Sequence, residues 1–257
     1  MRRISLIFLC LFSVALAGQT ATIEYEATIL TLDGKGRSGI TALHFTQDKA
    51  IYLHPDWPAK SVYGPGDPVP SYYIRGDVEK MPVYTNLAER KQVFKVTNGA
   101  RGDNYFILTE PVAEITWDVT GKEKAIGDLK TYEARGIYGN RHYTAWFTPE
   151  IPLPFGPHRL GGLPGMILEA ASDDGMVKYT FLSYAKDPGK ETLIVPPSNG
   201  EAIDMEELEK RVIAQLLKVE AMSNSEYTAT QSPEPSDLTI EKDKWTIIRD
   251  YKAKRGY

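Results

Sequence analysis

"LKTYEARGIYGNRHYTAWFT", Leu129–Thr148, decides how this chain is read. Gly139-Asn140 stands between two runs rich in aromatic and β-branched residues. A two-residue turn of that composition between such runs predicts a β-hairpin. In the second run Tyr143, Ala145 and Phe147 fall on one face, and His142, Thr144, Trp146 and Thr148 on the other. Successive side chains of a strand alternate in this way.

The same reading extends in both directions. Downstream, Asp173-Asp174-Gly175 lies between "MIL" at Met166–Leu168 and "MVKYTFLSYA" at Met176–Ala185, which predicts a second hairpin. Upstream, "ATIEYEATIL" (Ala21–Leu30) alternates, and "GITALHF" and "AIYLH" flank Gln47-Asp48-Lys49. "VYTN", "KQVFKVT", "NYFILT" and "EITWDV" follow as short runs between turn residues, the spacing of a meander. Pro55–Pro70 carries five prolines and reads as a loop or extended crossing, since proline cannot donate to a ladder.

One segment has helical periodicity. Asp204 and Glu207 have the spacing of a capping box. Leu208, Val212, Leu216 and Val219 then recur at steps of four and three, the stripe of an amphipathic helix. The expected fold is therefore mainly β (β-rich α+β): a large twisted antiparallel sheet or half-barrel with one helix at about 204–221. The stretch 223–237 reads as a linker, and the tail 242–257 reads equally as a strand or a short helix. No repeat or break in composition divides residues 18–257, so a single domain is expected.

The N-terminus has the plan of a signal peptide. Arg2 and Arg3 precede the apolar "ISLIFLCLFSV", and Ala15-Leu16-Ala17 fits a cleavage site. Export to the periplasm or cell envelope is the expectation. Loss of residues 1–17 would make the formal charge of −4 two units more negative, which gives no basis for a nucleic-acid partner. The single cysteine, Cys10, lies inside the apolar run. The mature chain would have no thiol, disulfide or thiolate metal ligand. No second apolar run is long enough to span a membrane.

Signals of chemistry are few. His44, His54, His142 and His158 have none of the usual metal-ligand spacings, and no metal or cofactor is expected. There is no Gly-x-Ser-x-Gly elbow. Asp173-Asp174 is explained by its turn, and Glu206, Glu207 and Glu209 by the first turn of a helix. "RGD" at Arg101–Asp103 sits in a turn-like stretch and reads as loop. No catalytic residue is named, although a site assembled in space leaves no trace in spacing.

"GGLPGMILEA", Gly161–Ala170, is the remaining feature. It lacks the Gly-x-Gly-x-x-Gly spacing of a phosphate loop and leads into a strand. Pro164-Gly165 suits the centre of a type II turn, with glycine taking a positive φ. Two readings follow. The corner is architecture before the core strand Met166–Leu168, or it is a rigid lip that presents Leu163 outward near Trp146 as an anchor for a partner. Trp146, Gly162, Leu163, Pro164 and Gly165 are the candidate binding residues.

The stretch "YTAWFTPEIPLPFGPHRLGGLPGMILEA" (Tyr143–Ala170) resembles the signature of the GLPGLI family of exported bacterial proteins. Gly162, Leu163, Pro164, Gly165 and Ile167 match the motif, and Met166 replaces its leucine. "ITWDVTGKEKAIGDLKTYEA" (Ile115–Ala134) is similar to the family's upstream segment. Thr131 stands where many members have cysteine. The resemblance implies a periplasmic or envelope protein whose relatives are encoded near TonB-dependent outer-membrane receptors. It implies no activity and no catalytic residues. The functional expectation is a non-catalytic binding protein, for an apolar or peptide ligand or as an accessory to such a receptor. The alternative is a hydrolase or peptidase-like enzyme.

Overall fold

The computed structural model describes residues 20–30, 36–53, 82–97, 105–139, 141–187, 189–208, 210–211 and 213–214. The expected signal peptide, the Pro55–Pro70 loop, His54, Arg101–Asp103, the linker 223–237 and the tail lie outside these residues.

The strands are β1 (Ala21–Leu30), β2 (Gly36–Phe45), β3 (Lys49–Leu53), β4 (Val83–Asn86), β5 (Lys91–Thr97), β6 (Tyr105–Pro111), β7 (Trp117–Ile126), β8 (Leu129–Tyr138), β9 (Arg141–Thr148), β10 (Met166–Ser172), β11 (Val177–Lys186) and β12 (Glu201–Ala202). They form one sheet in the order β12-β6-β5-β4-β3-β2-β1-β11-β10-β9-β8-β7. Neighbours are antiparallel except β12, which joins β6 in parallel, so the sheet is mixed rather than wholly antiparallel. Two meanders, β1–β6 and β7–β11, are joined by the β1–β11 pairing.

Both expected hairpins are present. Tyr138 faces Arg141 across the β8–β9 turn, and Gly139 has φ +60°, which suits a tight hairpin turn. At the second, the Ser172 hydroxyl accepts the Val177 N–H at 2.9 Å. Strand β7 runs further than "EITWDV" suggests. "TGKEK" lacks apolar alternation because β7 is an edge strand, and charge on an edge discourages pairing with another chain. Its register slips between Val119 and Glu123.

The sheet curls strongly. Eight strand steps separate β5 from β8, which in a flat sheet would be ~38 Å. Yet the Arg159 guanidinium carbon lies 4.3 Å from the Phe94 ring on β5 and 5.8 Å from the Tyr138 ring on β8. The large core fills the concave side. Ile23 and Tyr25 (β1), Phe94 (β5), Leu108 (β6), Phe147 (β9) and Ile167 (β10) meet Phe155, Leu160 and Leu163 from the β9–β10 connection. A second cluster on the other face joins Ile51, Tyr84, Val93 and Ile107 to Ile194. Ile194 follows a 3-10 turn, Glu191–Leu193. Strands β3 and β4 are consequently buried on both faces.

The helix α1 begins at Met205 and is described to 214. Asp204 caps it, its carboxylate accepting the Glu207 N–H at 2.8 Å. The Glu207 side chain turns to Arg211 at 2.7 Å, so only one arm of a capping box forms. Leu208 enters the core. The expected continuation to about 221 lies outside the described residues. Among the described residues no helix is long and apolar enough to cross a membrane.

Candidate functional site

Between β9 and β10 the chain folds a compact loop onto the concave face. Pro152, Pro154 and Pro157 keep it out of regular structure. Its main chain is nevertheless bonded to itself and to β10. Gly162 N–H donates to Pro154 C=O at 3.0 Å, Met166 N–H to Ile151 C=O at 3.0 Å, and Ile167 N–H to Phe155 C=O at 2.9 Å. These bonds satisfy backbone groups that burial would otherwise leave costly.

The GLPG corner ends this loop, with a geometry different from the expected one. Gly162, not Gly165, takes the left-handed conformation, with φ +86°. Gly165 N–H donates to Leu163 C=O at 2.7 Å, a three-residue turn about Pro164, whose fixed φ suits it. It is not the type II turn predicted from Pro164-Gly165. Gly165 is required for another reason: a Cβ there would lie 2.2 Å from the Thr148 carbonyl oxygen. Leu163 is 2% exposed and belongs to the core. It does not point outward, because the corner faces the apolar concave side.

Trp146 is not brought to this corner. Cross-strand register sets it between Glu133 and Glu169, on the other face from Tyr143, Ala145 and Phe147. The Lys124 ammonium sits 4.4 Å over its ring and 2.5 Å from Glu169. Glu133 is nearly buried and receives Lys122 at 3.1 Å and the Thr120 hydroxyl at 3.1 Å. Burial opposes its ionisation, but Lys122, Thr120 and Arg135 hold its carboxyl below the ordinary range.

The tryptophan at the corner is Trp117. Its indole N–H donates to Gly161 C=O at 2.8 Å. It faces Gly136 across the β7–β8 pair, and a Cβ on Gly136 would lie 2.7 Å from the indole. Trp117 thus covers a glycine on its partner strand and pins the loop. Its position at the start of β7 gives no hint of this, because the contact depends on register.

The tip of the loop is polar, which the sequence did not signal. His158 adopts φ +56°, and Arg159 follows it at 5% exposure. Arg159 donates through Nε to Gln92 at 3.3 Å and through a terminal nitrogen to Glu110. Gln92 in turn donates to the Thr85 hydroxyl at 3.1 Å. His158 makes an edge contact with the Tyr52 ring, centroids 6.0 Å apart. Burial raises the pKa of Tyr52, against a hydrogen bond with Thr41, and raises that of Tyr25, aided by Tyr52. Both phenols therefore stay protonated.

Beside the tip lies a cavity of about 20 Å³, bordered by Ala50, Thr85, Gln92, His158 and Arg159 among apolar neighbours. It is far below the ~300–1,000 Å³ of a small-molecule site. Among the described residues no three His, Cys, Asp or Glu side chains gather as metal ligands. The carboxylates of Glu110, Glu133, Glu169 and Asp174 are each committed to a cationic partner. As arranged, these groups form ion pairs that join neighbouring strands and the loop.

Residues 106–169 match a family model. It is described as Porph_ging, a protein of unknown function. The Porph_ging stretch runs from β6 into β10 and includes Trp117, Trp146, the loop and the GLPG corner. No curated protein matches the chain. Two solved structures of PNGF-II are similar, one in space group P21 and one in C2. The first has a TM-score of 0.51 at 14% identity, over 75% of this chain and 33% of that one. The second has a TM-score of 0.52 at 15% identity, over 75% and 32%. This chain spans about a third of the PNGF-II length, and the likeness is one of fold alone.

Proposed function

We propose that this chain is an exported, non-catalytic protein of the bacterial cell envelope that acts by docking to a partner. The partner class we infer is an outer-membrane receptor of the TonB-dependent type or a peptide segment of one. Export is supported by the signal-peptide plan of residues 1–17. The receptor class is supported by the resemblance of Tyr143–Ala170 to the GLPGLI signature.

One observation carries docking over enclosure of an apolar ligand. The concave face, where a half-barrel would hold such a ligand, is occupied by the protein's own loop through Phe155, Leu160 and Leu163. The cavity left beside the loop tip is about 20 Å³. The hydrolase reading gains no support from the ion-paired carboxylates and protonated phenols.

Cross-linking in intact envelopes, followed by mass spectrometry, tests the proposal. The expected result is one envelope protein cross-linked to defined surface positions, with the same pair recovered when that protein is used as bait. Recovery of uncross-linked chain alone would overturn docking. Recovery of chain with a stoichiometric lipid would favour the enclosed-ligand reading instead.

A further inference from the structure

The polar row under the loop has a second consequence. Ala50 faces Thr85, Thr85 faces Gln92, and Gln92 faces Glu110 in register across β3–β6. Ala50 is the small member, and the cavity of about 20 Å³ opens beside it. A volume above ~10–15 Å³ admits one water, and polar walls decide whether it is filled, since apolar cavities stay dry. The walls here are polar on two sides, with Thr85 and Gln92 from the sheet and His158 and Arg159 from the loop. The Thr85 hydroxyl accepts from Gln92 at 3.1 Å and still has its own proton to donate. The Gln92 carbonyl accepts from Arg159 at 3.3 Å and has a second lone pair. A donor and an acceptor therefore stand side by side on the cavity wall.

We infer that this cavity is a binding site for one ordered water molecule, held between Thr85 and Gln92 on the sheet and the loop around His158 and Arg159. The joint between loop tip and sheet is then wet, with the apolar Phe155 and Leu160 also lining the cavity.

A high-resolution crystal structure of the protein, paired with Ala50→Val, tests this. The wild type is expected to show one water within hydrogen-bond distance of Thr85 Oγ1 and one further polar atom. Ala50→Val is expected to lose that water and to lower Tm by about 2–4 °C, because polar walls lose their partner. An empty cavity in the wild type, or a Tm that rises when the space is filled, would overturn the inference. If Ala50→Val does not fold, Thr85→Val keeps the shape without the hydroxyl. Loss of the water there supports the site, and unchanged occupancy contradicts it.

Discussion

Gly165 lies against the main chain of Thr148, so closely that a Cβ on it would stand 2.2 Å from the Thr148 carbonyl oxygen. The strand end and the corner that returns to it are packed backbone to backbone. Gly165→Ala must push β9 and the loop apart. Overpacking of this kind costs about 1–3 kcal/mol or more, and a Tm drop of at least ~4 °C is expected. An unchanged Tm in a thermal melt would contradict the close approach.

Leu163→Ala removes a fully buried side chain rather than an exposed anchor. A loss of about 2–5 kcal/mol is expected, the range for large-to-small changes in a core. Denaturant unfolding measures it. A loss below ~0.5 kcal/mol would return Leu163 to the surface.

These two residues show where the sequence could be read. The β8–β9 hairpin was legible because Gly139-Asn140 and the alternation of Tyr143, Ala145 and Phe147 are local signals. The start of α1 at Asp204 was legible for the same reason. The role of Gly165 depends on Thr148, seventeen positions away, and that of Trp117 on register with Gly136 and on the folded-back Gly161. Chain-distant contacts leave no periodicity. Arg159 carried no signal in the sequence because its partners, Gln92 and Glu110, come from two other strands.

Arg159→Met removes the buried cation that faces Glu110, and Glu110→Gln removes the charge that faces the guanidinium. Removing one member of a buried pair costs about 3–5 kcal/mol. Because Glu110 keeps some access to solvent, Glu110→Gln is expected to fall at or below the low end. A double-mutant cycle by urea unfolding should show the combined change to be milder than the sum. Strict additivity would mean that the pair is not coupled.

Stability should fall on the acid side. The Glu133 and Asp174 carboxyls lie below the ordinary carboxylate range. Burial opposes ionisation of each, but Lys122 and Thr120 at Glu133, and Ser172, the Met176 N–H and Arg141 at Asp174, outweigh it. Groups with lowered folded values contribute stability above the unfolded value. That contribution is lost as pH falls from about 4 through the folded value. Tm measured against pH should decline over that window, and Glu133→Gln should flatten the decline. An identical acid limb in the variant would show that Glu133 gains nothing from its partners.

Native mass spectrometry of the protein purified from its native cells bears most directly on the central claim, that the protein's own loop fills the concave face, and on the proposal of docking built on it. The expected spectrum contains the bare chain and its complex with a protein partner, with no small molecule attached. A chain that carries one apolar ligand at full occupancy would contradict the claim.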